Sequence, residues 1–372
     1  MRRRVVRQGV VDVTVGVVPV PVLAVVVMMV WILPARGRLR IPPPPVGAVY
    51  ATVLRSRTVR VSANRSPMIP SSPDSARFAT ARDGTRLFWR AAGTREPPVV
   101  LTDGIGCAGF IWARLFPALA SHRRVIHWNY RGHGRSERPR DPDRMSLLDC
   151  VDDLFRVLDD AGVDRAVLAG HSMGVQVSLE AHRRDPGRVA GLALICGSYA
   201  RPLDTFHDDD LLARAFPFAR RLVDRFPGAA RFAFEKLVPT ELLYQYGRYL
   251  EVNRRLVRRQ DLLPYLDDLS RIDPVLFVKL LATAAVHDAS DHLERVDVPT
   301  LVVAGERDTF TPMWLSVRMH ACIPGSELLV LPGGSHVGPL ERPELLAARL
   351  DRFLEERLGA PSLVARDPAE TG

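Results

Sequence analysis

Apolar residues recur along this chain in two rhythms, and the switches between them mark out its elements. Short, mostly apolar runs occur at 99–102, 165–169, 189–196, 299–305 and 328–331, and a further strand segment, 124–128, leads into the turn at 129–134. Runs of that length and evenness predict parallel strands buried on both faces. Between them stand helical patterns. From Ser146, a good N-cap, Leu147, Val151, Leu154 and Leu158 follow in steps of four, three and four, which marks one buried helix face. Helices are also predicted over 110–121, after Ser172 to about 184, and over 341–358, where Leu346, Leu350 and Phe353 form the inner face. At the front, 76–81 and 85–92 alternate around Asp83-Gly84, a hairpin pattern. Strands alternating with helices at this spacing predict the α/β class, a mostly parallel sheet covered on both faces. No internal repeat is visible.

The candidate chemistry sits where strands end. Gly170-His171-Ser172-Met173-Gly174 joins a strand to a helical pattern, which is the G-x-S-x-G nucleophile elbow. The serine occupies a strained turn that lifts its Oγ above the sheet, and a side chain at Gly170 or Gly174 would strike the neighbouring strand or helix. Downstream, the run ending at Gly305 delivers Glu306-Arg307-Asp308, and the run at 328–331 ends in Pro332-Gly333-Gly334-Ser335-His336. Serine, acid and histidine thus reach one sheet edge in that order. A serine hydroxyl is a poor nucleophile until an imidazole takes its proton, and a carboxylate fixes the imidazole tautomer. The expected roles are Ser172 as nucleophile, His336 as general base then acid, and Asp308, ahead of Glu306 in the same loop, as orienter.

These motifs resemble those of the α/β-hydrolase family over roughly residues 76–358. Gly305-Glu306-Arg307-Asp308 and Gly334-Ser335-His336 look like its acid and histidine loops, and Asn129-Tyr130-Arg131-Gly132-His133-Gly134-Arg135-Ser136 is similar to its glycine-rich turn after the fourth strand. The resemblance implies an oxyanion hole made by the backbone N–H groups of Ile105 and Met173. One departure stands out: where many members carry His-Gly, this chain has Thr102-Asp103-Gly104-Ile105-Gly106. Backbone donors survive a changed side chain, so the hole is expected to persist. The resemblance also implies a helical cap over 201–293, inserted between hydrolase-core segments 68–200 and 294–358. Six phenylalanines there (Phe206, Phe216, Phe218, Phe226, Phe232, Phe234) either line an apolar acyl pocket or form the cap's own core. His171 and His133 are expected to be structural, and His207, His287 and His292 to be solvated.

Composition narrows the partners. Apolar content of 47% and charged content of 25% are ordinary for a globular chain of 372 residues. The net charge of +9 is concentrated at the front: residues 1–67 hold eleven arginines and one acid, Asp12, leaving the remainder at −1. That near-neutral remainder gives no electrostatic case for a nucleic-acid partner. Cys107, Cys150, Cys196 and Cys322 have no metal-ligand spacing and fit reduced thiols, and Asp208-Asp209-Asp210 fits a solvated helix start. No metal and no cofactor are expected. Residues 13–33 are apolar and about 31 Å long if helical, enough for a membrane anchor, but Pro19 and Pro21 interrupt them and arginines flank both ends. The segment 1–67 reads as an anchor, a disordered arm or an over-extended gene start, and a cytoplasmic location is expected ahead of an anchored one. Residues 359–372 read as a loose tail.

The expected function is a cofactor-free serine hydrolase acting on a carboxylic ester, lactone or thioester with an apolar acyl group. The same triad serves carbon–carbon bond hydrolysis and perhydrolysis in relatives. From another class, a hydrolase-like receptor or tethered binding protein remains as the alternative.

Overall fold

The computed structural model describes residues 76–359 apart from 239, 242, 243 and 246–251. The segment 1–67, with its candidate anchor at 13–33, lies outside the described residues, as does the tail beyond 359. Among the described residues no helix is long and apolar enough to cross a membrane.

Eight strands form one sheet: β1 (Arg77–Thr80), β2 (Arg86–Ala92), β3 (Val99–Thr102), β4 (Val125–Trp128), β5 (Ala166–His171), β6 (Val189–Ile195), β7 (Thr300–Gly305) and β8 (Glu327–Leu331). Their spatial order is β1-β2-β4-β3-β5-β6-β7-β8. β1 and β2 pair antiparallel, as do β2 and β4, and every later pairing is parallel. The evenly apolar runs have a direct explanation. On β5, Val167 and Ala169 enter the core on one face, while Ala166 and Leu168 enter the core on the other. Leu301 and Val303 of β7 oppose Val302 in the same way. Successive side chains point to opposite faces, so a strand covered on both sides needs apolar residues throughout.

The helices complete the layers: α1 (Leu115–Ala120), α2 (Leu147–Asp160), α3 (Met173–Arg184), α4 (Leu211–Arg225), α5 (Pro227–Leu237), α6 (Arg259–Arg271), α7 (Pro274–Val286), α8 (Met313–Cys322) and α9 (Pro343–Leu358). α2 begins with a full capping box, Ser146 Oγ accepting from the Asp149 N–H at 3.1 Å while the Asp149 carboxylate accepts from the Ser146 N–H at 3.0 Å. Its Leu147, Val151, Leu154 and Leu158 are buried against one sheet face, and Leu346, Leu350 and Phe353 of α9 against the other.

Two helices predicted as continuous are broken by proline. Over 110–121 the chain makes a 3-10 turn, Phe110–Trp112, before α1 starts. Pro117 lacks an N–H and its ring would collide with the carbonyl four residues earlier, so the helix cannot run through Ala113. Likewise Gly338–Glu341 forms a single turn, and Arg342 leaves helical geometry (φ −134°, ψ 48°) ahead of Pro343, where α9 begins.

Between β6 and β7 lie the helices α4 to α7 and the irregular segments that join them, and this insertion grips the loops at the sheet edge. The His207 N–H donates to the Thr309 carbonyl at 2.7 Å, and Asn253 Nδ2 donates to the Gly333 carbonyl at 2.7 Å. The Tyr265 ring of α6 lies 4.8 Å from that of Phe110. The six phenylalanines do not act together. Phe216 and Phe234 are core, whereas Phe218, Phe226 and Phe232 are exposed, at 59%, 38% and 51%. Of the two alternatives, core packing describes Phe216 and Phe234, whereas Phe218, Phe226 and Phe232 are too exposed to be part of a cap core.

His287 and His292 are also corrected, because both are internal to the contact between the insertion and α3. His287 shares a hydrogen bond with Glu180 at 2.9 Å, and His292 with His182 at 3.0 Å. Burial, with His182 and Arg183 nearby, holds the His292 ring below the usual histidine range. Asp210 precedes α4 and pairs with Arg214 one turn on, while Asp209 accepts from the Leu211 N–H at 2.7 Å.

Candidate active site

Ser172 stands between β5 and α3 with φ 54° and ψ −117°, a left-handed conformation that costs a non-glycine residue energy. Its neighbours have no room for side chains. A Cβ on Gly170 would sit 2.1 Å from the Gly174 carbonyl oxygen, and one on Gly174 would sit 2.4 Å from that of Thr102 on β3. The two glycines therefore let the strand, the turn and the helix meet closely enough to hold the strained serine.

His336 follows β8 and Asp308 follows β7, and the structure brings both to Ser172. Ser172 Oγ lies 3.0 Å from His336 Nε2, and His336 Nδ1 lies 3.0 and 3.2 Å from the two Asp308 oxygens. The Asp308 side chain is fully buried and accepts three further hydrogen bonds: from the N–H groups of Phe310 (2.9 Å) and Thr311 (2.8 Å) and from the Thr311 hydroxyl (2.8 Å). An ionised carboxylate only accepts, so it places the proton on His336 Nδ1 and leaves Nε2 as a lone pair for the serine hydroxyl. Glu306 is turned elsewhere, its carboxylate accepting from the Gly333 N–H at 2.6 Å.

The loop after β3 passes directly over the serine. A Cβ on Gly104 would lie 3.0 Å from Ser172 Cβ and 3.5 Å from its Oγ, so a side chain there would crowd the serine. Ile105 follows in that loop, and no hydrogen bond among the described residues takes its N–H. Met173 is the first residue of α3, where the N–H has no partner one turn back. Asp103, the departure from the family pattern, turns away: its carboxylate meets His127 Nε2 at 2.9 Å inside the sheet.

Two supporting residues, Glu341 and Phe310, had no sequence signal pointing to them, whereas His171 takes the structural role expected of it. Glu341 clamps the histidine loop, accepting from the Ser335 N–H at 2.5 Å, the Ser335 hydroxyl at 2.8 Å and the Asn253 N–H at 2.8 Å. Phe310 stacks on the His336 ring at 4.8 Å and 19°, and Phe206 of the insertion packs edge-on to Phe310 at 4.8 Å. His171 donates from Nε2 to the His336 carbonyl at 2.8 Å. Burial first, and then the facing His336, push the His171 pKa down to about 3, so it is a neutral brace. Cys107, further along the same loop, is buried beside Asp103, which raises its thiol well above the ordinary range and keeps it unreactive. Among the described residues no group of His, Cys, Asp and Glu could hold a metal ion.

Comparison with known proteins agrees with this architecture. The model of the alpha/beta hydrolase fold family matches residues 97–343, more than half of the chain. A curated relative from Azorhizobium caulinodans, named "Putative carbamate hydrolase RutD", is 27% identical over 268 residues, which cover 71% of this chain and 92% of that protein. Among solved structures, the enol-lactonase from Burkholderia xenovorans LB400 superposes with a TM-score of 0.61 at 21% identity, over 75% of this chain and 99% of that one. Est816, described as an N-acyl homoserine lactone degrading enzyme, superposes with a TM-score of 0.58 at 26% identity, over 74% of this chain and 99% of its own. The chain belongs to the alpha/beta hydrolase fold family and is a hydrolase.

Proposed function

We propose that this hydrolase cleaves a carboxylic ester, or a closely related lactone or thioester, through an acyl-enzyme on Ser172. The observation that carries the reading is the unbroken run from Ser172 Oγ through His336 to Asp308, with both links at 3.0 Å. Ser172 Oγ attacks the carbonyl carbon while Nε2 of His336 takes its proton. The tetrahedral oxyanion rests on the N–H groups of Ile105 and Met173, and the dipole of α3 adds partial positive charge there. The imidazolium then protonates the leaving oxygen or sulfur. Water, deprotonated by the same imidazole, attacks the acyl carbon and frees Ser172.

Related names favour acyl chemistry. Carbamates and lactones both present a carbonyl carbon bearing a heteroatom leaving group, the centre this arrangement attacks. On this reading residues 201–293 form a cap between core segments 68–200 and 294–358. Its contacts with the loops of Phe110, Thr309 and Gly333 support that role. An apolar acyl group fits the side chains that face the oxyanion loop, since a Cβ on Gly106 would meet Leu269, Phe277 and Tyr265 within 4 Å.

The test is rapid mixing with p-nitrophenyl acetate. A stoichiometric burst of p-nitrophenol, with the acetyl group located on Ser172 by peptide mass spectrometry, is expected. Turnover with no adduct on Ser172 at any quench time, and persisting in Ser172→Ala, refutes the acyl-enzyme. A panel of esters, lactones and thioesters then ranks the leaving groups.

A further inference from the structure

The last paired residue of β3 is Thr102, which stands in register with Gly170 of β5. The loop bearing Ile105 begins at the next residue, and there side chains of β4 and of the turn after it take over from the sheet. Trp128 Nε1 donates to Thr102 Oγ1 at 3.2 Å, and the Tyr130 hydroxyl donates to the Asp103 carbonyl at 2.6 Å. The Asp103 carboxylate meets His127 Nε2 at 2.9 Å. An ionised carboxylate only accepts, so His127 carries its proton on Nε2. Thr102, Asp103, His127, Trp128 and Tyr130 are all buried.

These ties fix two consecutive peptide planes. The Tyr130 hydroxyl holds the carbonyl of the 103–104 peptide, and burial keeps that phenol well above its usual range, so it stays a donor. The Cys107 N–H donates to the Gly104 carbonyl at 3.3 Å, closing a turn over 104–107. In a trans peptide N–H and C=O point in opposite directions, so tying the Gly104 carbonyl into the turn directs the Ile105 N–H out of it. The root of the loop also lies against the start of α3. A Cβ on Gly174 would be 2.4 Å from the Thr102 oxygen and 2.9 Å from that of Asp103. Where Asp103 sits therefore sets the spacing between Ile105 and Met173, the residue just before Gly174. The partner ring is confined as well, since a Cβ on Gly109 would lie 2.7 Å from His127 Cε1.

On the acyl-enzyme reading, on which this inference rests, we propose that Asp103, His127 and Tyr130 are positioning residues that set the Ile105 N–H for the tetrahedral oxyanion. Asp103 touches no reacting atom and acts through the two peptides that follow it. Its bond to His127 also keeps a negative charge turned into the sheet, away from the carbonyl oxygen that gains charge in the reaction. Losing the carboxylate leaves a buried N–H of His127 unmatched and frees the loop root, and a displacement of ~1 Å at the hole costs ~10² in rate. An asparagine keeps an amide oxygen to accept from Nε2, so the anchor survives.

Trifluoroacetone probes the hole directly. Ser172 Oγ adds to its carbonyl carbon, the serine proton passes to His336, and the carbonyl oxygen becomes an alkoxide seated on the two N–H groups. The full chain and its variants are compared by fluorine NMR of the adduct, by the inhibition constant, and by kcat and KM for p-nitrophenyl acetate, with thermal unfolding as the check of folding. The parent forms the adduct and Ser172→Ala does not. Asp103→Ala binds the ketone ~10²-fold more weakly and loses kcat by the same factor, with KM within about threefold of the parent. Asp103→Asn restores both to within about threefold. Tyr130→Phe keeps the ring and lowers ketone affinity and kcat by ~10-fold, and it carries the test if Asp103→Ala does not fold. Unchanged ketone binding and kcat in a folded Asp103→Ala, or failing that in Tyr130→Phe, overturns the proposal. So does a loss confined to KM, or an Asp103→Asn as impaired as Asp103→Ala. Absence of the adduct from Ser172 of the parent refutes the acyl-enzyme reading and the inference with it.

Discussion

Replacing Asp308 by asparagine tests the tautomer logic of the site with almost no change of shape. Oδ1 of Asp308 accepts from the N–H groups of Phe310 and Thr311, and an amide oxygen can keep both bonds. The amide nitrogen must then take the place of Oδ2, which lies 2.8 Å from Thr311 Oγ1 and 3.0 Å from His336 Nδ1. The threonine hydroxyl adapts by rotating to accept. The imidazole cannot, because an N–H on the amide facing an N–H on Nδ1 is repulsive, so the ring proton moves to Nε2. Nε2 then points a proton at Ser172 Oγ and can no longer take one. Loss of the correct tautomer in a serine triad costs ~10⁴ in kcat, or about 5.5 kcal/mol of transition-state stabilisation at 1.36 kcal/mol per decade. The assay is kcat for p-nitrophenyl acetate near pH 7.5, with thermal unfolding as the check that Asp308→Asn is folded. A folded variant retaining kcat within tenfold of the parent would mean that Asp308 does not set the tautomer of His336.

Further outcomes follow from the same geometry. Gly174→Ala places a Cβ 2.4 Å from the Thr102 carbonyl oxygen, so the loop bearing Ile105 must shift by ~1 Å, a displacement that costs ~10² in kcat/KM; esterase kinetics check it. Arg131 holds Asp153 through two bonds of 2.7 and 2.6 Å with both side chains 1% exposed, so Arg131→Met strands a buried carboxylate and lowers stability by about 3–5 kcal/mol in urea unfolding. Asp268 has a folded pKa of about 6 against an ordinary 3.8, so its proton is held more tightly when folded. The stability it contributes is full below about pH 4 and lost as pH rises through 6. Asp268→Asn is therefore more stable than the parent at pH 8 and equal to it at pH 4, and unfolding curves at the two pH values decide the matter.

The sheet was legible because burial on both faces leaves a compositional mark that one sequence displays. β3 falls on the predicted residues 99–102, and β6 and β7 start and stop within one residue of their apolar runs. α2 was legible because Ser146 and the four leucine and valine positions belong to one local period. Helix boundaries near Pro117 and Pro343 were readable in principle, since each proline blocks the preceding turn, but apolar periodicity continues across both. The contacts of His287 and His292 left no local trace, their partners Glu180 and His182 lying 107 and 110 residues away. Glu341 escaped for the same reason: a carboxylate in an unremarkable helical turn says nothing about the loop it clamps. The glycines of the elbow could be read because the crowding around them is local and leaves no alternative residue.

Ser172, and no other group, is the proposed nucleophile. Treating the purified chain with a fluorophosphonate and measuring intact mass, followed by peptide mapping, tests it most directly. One phosphonyl adduct per chain is expected, on Ser172, accompanied by complete loss of esterase activity and absent from Ser172→Ala. Activity that survives with Ser172 fully modified, or an adduct that forms on another residue and alone abolishes turnover, would contradict it.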